Sequence, residues 1–400
     1  MSGLSARHES RSRGVWRFME QTRHHICMIV PDPKVRGGIA SVTGGYYGSR
    51  LEADYRITYV QSYCDGSKWD KLRKALAAYR QFLRILHTDP PELVHIHSSF
   101  GPSFYRKLPF IEMAYRRGIP VVNHIHGADF ETFYIKAGSR KRKRIEREYR
   151  KCTRLIALSD EWKNLLSQIV PADRIEVVRN YGMMHEDAFL NRRERYVVRA
   201  DVLSDRDGKS RMESVSVQRQ TVLFLGELGR RKGCYDLPDI IERVLQRRPG
   251  AYFLLCGAGS REDEAAIRGM IHEKGLSASV EFPGWVREEE KDRILREADV
   301  FLLPSYQEGL PMSILDAMGY GLAIVSTCVG GIPELVQDGC NGYCCKPGDT
   351  PAIAEALCRI LEDPDRNLQM GGNSLKILQS GFSVHAHLES LERIYAEVLG

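Results

Sequence analysis

Two acids, a cluster of cations and four histidines are the residues of this 400-residue chain whose types and spacing could do chemistry. Glu308 and Asp316, with seven residues between them, lie in the stretch 300–334, VFLLPSYQEGLPMSILDAMGYGLAIVSTCVGGIPE. Ionised carboxylates only accept hydrogen bonds, which suits them to sugar hydroxyls. Between them Gly309, Leu310 and Pro311 open a helical pattern. A helix start offers free N–H groups and a partial positive charge, a natural seat for phosphate. Hydroxyl acceptors beside anion-binding amides describe a nucleotide-sugar pocket. The plainer reading is a capped helix, with Glu308 complementing the dipole and Asp316 on a solvated face. Gly330-Gly331-Ile332-Pro333-Glu334 favours the ligand reading. Two glycines before a short helix make a second close-approach loop at a strand's carboxyl end, where open parallel sheets bind ligands.

The cations stand in Gly226-Glu227-Leu228-Gly229-Arg230-Arg231-Lys232-Gly233. Lys232, with Arg230 or Arg231, could hold a diphosphate as it gains charge on leaving. The plain alternative is a solvated strand-to-helix loop. The histidines form two alternating pairs, His95/His97 and His124/His126. Each pair occupies one face of a strand. His97, nearer its strand's carboxyl end, could line an acceptor side, and His95 reads as a core residue. No third metal ligand is evident beside either pair. The strings Asp205-Arg206-Asp207 and Asp363-Pro364-Asp365 do not follow strands, so no metal site is expected. Gly37-Gly38, after the first apolar run, would let backbone approach a ligand closely.

The elements that must position these residues alternate. Short buried strands are predicted near 25–30, 57–61, 93–97, 119–125, 154–158 and 175–178, with helices between them. Alternation resumes at 221–225, 251–256, 280–282, 298–303 and 322–326. The fold class is α/β, two doubly wound parallel-sheet domains. Residues 24–185 form the first domain and 220–383 the second. Residues 191–220 are polar and aperiodic, and 186–219 read as a linker with an insertion. Residues 1–23 read as a disordered basic tail. Ser159 reads as a helix cap and Asn180 as a turn without chemistry.

The spacing E-x7-D, the GGIPE segment and the Lys232 loop resemble glycosyltransferase family 4, retaining enzymes of GT-B fold. The family's second acid is usually Glu; here it is Asp316. Its Arg in the Lys232 loop is replaced by Glu227. The resemblance implies two Rossmann-like domains facing a cleft, the final helix 384–400 completing the first. It implies that His126 faces the reaction centre and that Asp129 matches the acid of the H-G-x-D segment, on the acceptor side with His97. It implies catalytic roles for His126, Glu308 and Lys232. Donor contacts are implied from Gly37, Gly38, Arg231, Gly309, Leu310 and Asp316. The donor is a nucleotide-sugar substrate, UDP-sugar favoured, with no cofactor and no metal. The acceptor is a glycan, a lipid-linked glycan or another glycoconjugate, in polysaccharide biosynthesis.

Composition narrows the remaining classes. A hydrophobic share of 43% is that of a globular protein. No apolar run is long enough to span a membrane, and the arginine-rich start has no apolar signal core. Ten scattered cysteines fit a reducing, cytoplasmic setting. The net charge of +6 is local, because 136–151 alone holds nine Lys or Arg against two Glu. That run could meet an anionic membrane surface, making the protein peripheral at the inner membrane. Nucleic acid is disfavoured, since only Tyr149 interleaves the basic run. The rivals are a GT-B nucleotide-sugar epimerase or phosphorylase and, further off, a non-enzymatic basic-patch binder.

Overall fold

The computed structural model describes residues 23–204 and 220–400. The tail expected over 1–23, Arg23 apart, and the Asp205–Asp207 string lie outside the described residues. The chain divides into two compact units, Met1–Val178 with Leu388–Gly400, and Arg179–His387.

The first unit is built on β1 His25–Val30, β2 Arg56–Gln61, β3 Leu93–Ser98, β4 Val121–Ile125, β5 Arg154–Ala157 and β6 Ile175–Val177. All pair in parallel, in the order β2-β1-β3-β4-β5-β6. β1, β3 and β4 are buried along their whole length. Helices cover both faces of such a sheet, so its strands read as continuous apolar runs. The helices are capped locally. Ser67 and Asp70 form a reciprocal box at the start of Lys68–Thr88, and Ser159 accepts from Trp162 N at 3.2 Å, as the sequence led us to expect. The C-terminal helix Val384–Leu399 gives this unit its residues from Leu388 onward. Within the unit its Tyr395 hydroxyl meets His95 Nδ1 at 2.5 Å.

The second unit carries β7 Gln220–Leu225, β8 Ala251–Cys256, β9 Val280–Gly284, β10 Val300–Leu303, β11 Ala323–Thr327 and β12 Gly342–Cys345. Their order is β12-β11-β10-β7-β8-β9, again parallel. The edge strand β12 is absent from the sequence reading; its four residues, Gly-Tyr-Cys-Cys, are too few to show a period.

The linker reading of 186–219 fails over its first half. Glu186–Ser204 is a helix of the second unit. It escapes a periodicity search because a buried arginine and a tyrosine anchor it instead of an aliphatic stripe. Arg192, 1% exposed, donates to the carbonyls of Ala298, Tyr320, Gly321 and Leu295 at 3.1, 2.9, 2.8 and 3.3 Å. The Tyr196 hydroxyl donates to Asp299 at 3.0 Å, and Asp299 also accepts from Thr221 N at 2.8 Å. No helix among the described residues is long and apolar enough to cross a membrane.

Candidate active site

In the second sheet the strand order reverses between β7 and β10. In open parallel sheets the loops leaving such neighbours diverge to opposite faces, and the crevice at the strands' carboxyl ends is where ligands bind. The two acid- and cation-bearing loops of the sequence are the loops leaving β10 and β7. They are laced together by Tyr306 N to Arg231 O at 2.8 Å and Arg231 Nη1 to Gln307 O at 3.2 Å. Close approach requires glycine here. A Cβ on Gly233 would stand 1.9 Å from Pro304 O, and one on Gly330 would stand 2.0 Å from Glu308 O. Both residues also have positive φ, +71° and +56°.

Glu308 lies at the centre of this contact, 5% exposed. Its Oε1 accepts from Lys232 Nζ at 2.5 Å and from Ser305 Oγ at 2.6 Å, and its Oε2 is 3.8 Å from Arg231 Nη1. A buried carboxylate is tolerable only with such partners, and removing one leaves the other charge uncompensated, at a cost of about 3–5 kcal/mol. Arg231 is divided: its Nη2 also meets Glu227 at 3.1 Å. The acid that replaces the family's arginine is therefore held by the neighbouring cation. Arg230 instead stacks 4.0 Å above the Tyr235 ring. Of the two arginines left open by the sequence, Arg231 is the one beside Glu308.

The helix begins later than the sequence suggests. It is Met312–Gly319, with Pro311 at its cap and no acid in its first turn. Gly309 and Leu310 belong to the loop before it, because proline at 311 holds an extended backbone there. Gly309 O accepts from Gly331 N at 2.7 Å. Leu310 is buried and its carbonyl accepts from Asn180 Nδ2 at 2.7 Å. Asn180 is thus a loop-positioning residue that the sequence reading passed over as a plain turn. Asp316 lies in the second turn, paired with Lys291 Nζ at 2.5 Å. Lys291 was also missed; it comes from the helix Glu288–Glu297, and only tertiary packing brings it there.

The first sheet reverses between β1 and β3. Gly37, with φ +136°, precedes the short helix Gly38–Gly44, and among the described residues no heavy atom beyond its own chain neighbours lies within 4 Å of the Cβ position of Gly37. The pairing of β3 with β4 sets His97 opposite His124. All four histidines therefore share one face, with ring centroids 4.3 Å apart for His95/His97, 5.0 Å for His97/His124 and 4.2 Å for His124/His126. His97 does not line a surface: it is 1% exposed, behind the half-buried His126. Its Nδ1 lies 3.0 Å from His126 Nε2. Asp129 precedes a wide helical turn, Glu131–Ile135, and its Oδ1 accepts from Thr132 N at 3.0 Å.

The sequence reading found no third metal ligand beside either histidine pair, and the sheet provides one. Ligand nitrogens of His95, His97 and His124 all lie within 4.8 Å of one another. A one-dimensional search looks along strands, and the third ring comes from across the ladder. The three rings are buried and bring no carboxylate to balance a dication. Lys107 is buried in the same unit, its Nζ on Ser62 Oγ at 2.5 Å and Ile29 O at 3.3 Å. Burial drives its pKa well below the usual lysine range. Burial likewise pushes His97 well below the usual histidine range, with the neighbouring rings adding to it. Both effects favour neutral bases in the interior of this unit.

The basic run forms the helix Ser139–Arg150. Part of its charge is spent internally. Lys136 pairs with Glu131, Arg147 with the buried Glu148, and Lys151 with Glu148 and Glu112. Arg142 donates to Tyr134 O at 3.1 Å. Arg140, Lys143 and Arg144 are exposed.

Two family models match the chain, Glycosyltransferase Family 4 over residues 39–181 and Glycosyl transferases group 1 over 219–363. The chain is 25% identical over 320 residues to an α-D-kanosaminyltransferase of Streptomyces kanamyceticus, covering 76% of this chain and 77% of that one. It is 24% identical over 357 residues to an Escherichia coli UDP-Gal:α-D-GlcNAc-diphosphoundecaprenol α-1,3-galactosyltransferase, covering 87% and 86%. Among solved structures, a sucrose-phosphate synthase of Thermosynechococcus elongatus superposes with TM-score 0.72 at 18% identity, covering 94% of this chain and 99% of that one. Anabaena HepE, in complex with UDP and glucose, superposes with TM-score 0.69 at 16% identity, covering 94% and 100%. Two parallel six-stranded units, each matched by its own family model, and relatives that span most of the chain identify it as a glycosyltransferase of family 4 with the GT-B fold.

Proposed function

We propose that this glycosyltransferase is a retaining hexosyltransferase of polysaccharide or glycoconjugate biosynthesis. It moves a sugar from a UDP-sugar to a hydroxyl of a glycan or lipid-linked acceptor. The observation that carries the reading is the buried Glu308 held by Lys232, with Arg231 alongside, where the strand order of the second sheet reverses. Lys232 and Arg231 are cations placed to receive a diphosphate, and Glu308 is an acceptor placed for sugar hydroxyls. In the step, the acceptor oxygen bonds to the anomeric carbon on the face from which UDP leaves. The carbon–oxygen bond to the β-phosphate breaks, and the acceptor proton passes to the departing phosphate oxygen. This route needs no side-chain base. It also needs no metal, because Lys232 and Arg231 supply the countercharge. The Escherichia coli relative is named for transfer from UDP-Gal to a diphosphoundecaprenol-linked sugar, which supports the donor and acceptor classes. The exposed Arg140, Lys143 and Arg144 would hold such an enzyme against anionic lipid, at about 1 kcal/mol per residue.

The test is nucleotide release from UDP-, GDP- and ADP-sugars with polyprenyl-diphosphate-linked sugars in anionic vesicles, with and without EDTA. UDP release that survives EDTA, with an anomeric configuration unchanged by NMR, is the expected result. Inversion, restoration of lost activity by magnesium, or isomerised free donor would overturn the reading. Replacing residues 140–144 by Gln should weaken vesicle binding at low salt; unchanged binding removes the membrane part alone.

A further inference from the structure

We propose that His97 is a positioning residue that fixes the tautomer of His126, so that His126 presents Nδ1–H as a hydrogen-bond donor. The proposal deepens the reading in which His126 serves the transfer reaction, and it rests on that reading only for its functional consequence.

His97 Nδ1 and His126 Nε2 are 3.0 Å apart, so one carries the proton and the other accepts it. Two neutral arrangements satisfy that bond. If His126 donated from Nε2, His97 Nδ1 would accept, and the His97 proton would sit on Nε2. That atom is fully buried and has no hydrogen-bond partner among the described residues. An orphaned N–H in the interior is costly and rare. If His97 donates from Nδ1, its Nε2 holds only a lone pair and no donor is stranded. His126 Nε2 then accepts, and the remaining proton of its neutral ring sits on Nδ1. In water an imidazole side chain favours the Nε2–H form, so the protein selects the minor tautomer. The surroundings of His97 hold the pair in this state. His95 and His124 flank it at ring-centroid distances of 4.3 and 5.0 Å, and the β3–β4 ladder fixes the face on which all four rings stand. His126 is the half-buried member of the four, the other three rings being buried. The same second-layer logic orients imidazoles in other sites, where the bond made by one ring nitrogen decides what the other can do.

The test is long-range ¹H–¹⁵N correlation NMR of the ¹⁵N-histidine protein at neutral pH, with His126 assigned by its loss in His126→Gln. The expected signature is the neutral Nδ1–H form for His126. In His97→Phe, which keeps the ring volume and removes the donor, the His126 signal should shift to the Nε2–H form. Donor kcat/KM should fall about tenfold, the value of one hydrogen bond. A wild-type His126 in the Nε2–H or doubly protonated form would overturn the proposal. So would one equivalent of zinc released on denaturation, which would make His95, His97 and His124 metal ligands. The wild-type spectrum decides the question even if His97→Phe does not fold. It does so whether or not the protein transfers sugar, so failure of the tautomer and failure of the proposed function are distinguishable.

Discussion

At the scale of single residues, the two acids of the E-x7-D spacing prove to have different surroundings. Glu308 is buried against Lys232 and Ser305, whereas Asp316 is paired with Lys291 from a neighbouring helix. A charged hydrogen bond to a hydroxyl contributes about 1.5–3 kcal/mol. Contacts that tighten as the sugar ring gains charge act on turnover, and contacts to a remote part of the donor act on binding. Glu308→Gln should therefore lower kcat about 10- to 100-fold. Asp316→Asn should raise the donor KM roughly tenfold and leave kcat within about twofold. Steady-state kinetics on both folded variants check this, and the reverse pattern would reassign the two roles. Lys232, Glu308 and Asp316 were named as candidates from the sequence, and the structure places Lys232 on Glu308. Asn180 and Lys291 were not among them, because each reaches its partner from a distant part of the chain.

At the scale of elements, the helix Glu186–Ser204 shows how a sequence can conceal a structural member. Its anchor is a guanidinium whose donors satisfy carbonyls at the ends of other elements, among them Tyr320 and Gly321 after the helix that carries Asp316. Arg192→Met would strand the four carbonyls it serves, each in the interior. The expected loss is about 3 kcal/mol of stability in the second unit, seen as a lower denaturant midpoint. The exposed neighbour is the control, and Arg193→Met should change the midpoint by no more than about 0.5 kcal/mol. Equal effects of the two substitutions would show that Arg192 is no anchor.

At the scale of the whole molecule, buried imidazoles link stability to pH. His97 in the first unit has its pKa pushed well below the usual histidine range, first by burial and then by the rings around it. His387 in the second unit is held at about 4, again by burial, partly offset by its bond to Arg179 O. Above the ordinary histidine pKa of about 6.5 both folded and unfolded chains carry neutral rings, and these groups contribute no slope. Below it the unfolded chain takes up protons that the folded chain refuses. Stability then falls by about 1.4 kcal/mol per pH unit for each ring until the folded pKa is reached. The contribution of these two rings to thermal or denaturant midpoints, read as the difference between wild type and His97→Phe or His387→Phe, should therefore be flat between about pH 6.5 and 8 and should drop between about pH 6.5 and 4. A difference unchanged down to about pH 4.5 would mean that these rings are not neutral in the fold.

The sequence by itself determined the α/β alternation, the number of domains and the two loops that carry Lys232 and Glu308. Each of these is local: a buried parallel strand is a short apolar run, and a close-approach loop is a glycine beside a strand end. Only the tertiary structure decided which arginine stands beside Glu308, where the helix after it begins and that 186–204 is helical. It also decided that His97 lies behind His126 and that His95, His97 and His124 converge. Those outcomes depend on strand order and on pairing across a ladder. A parallel sheet joins strands remote in the chain, so the register that puts His97 opposite His124 is written in no single segment.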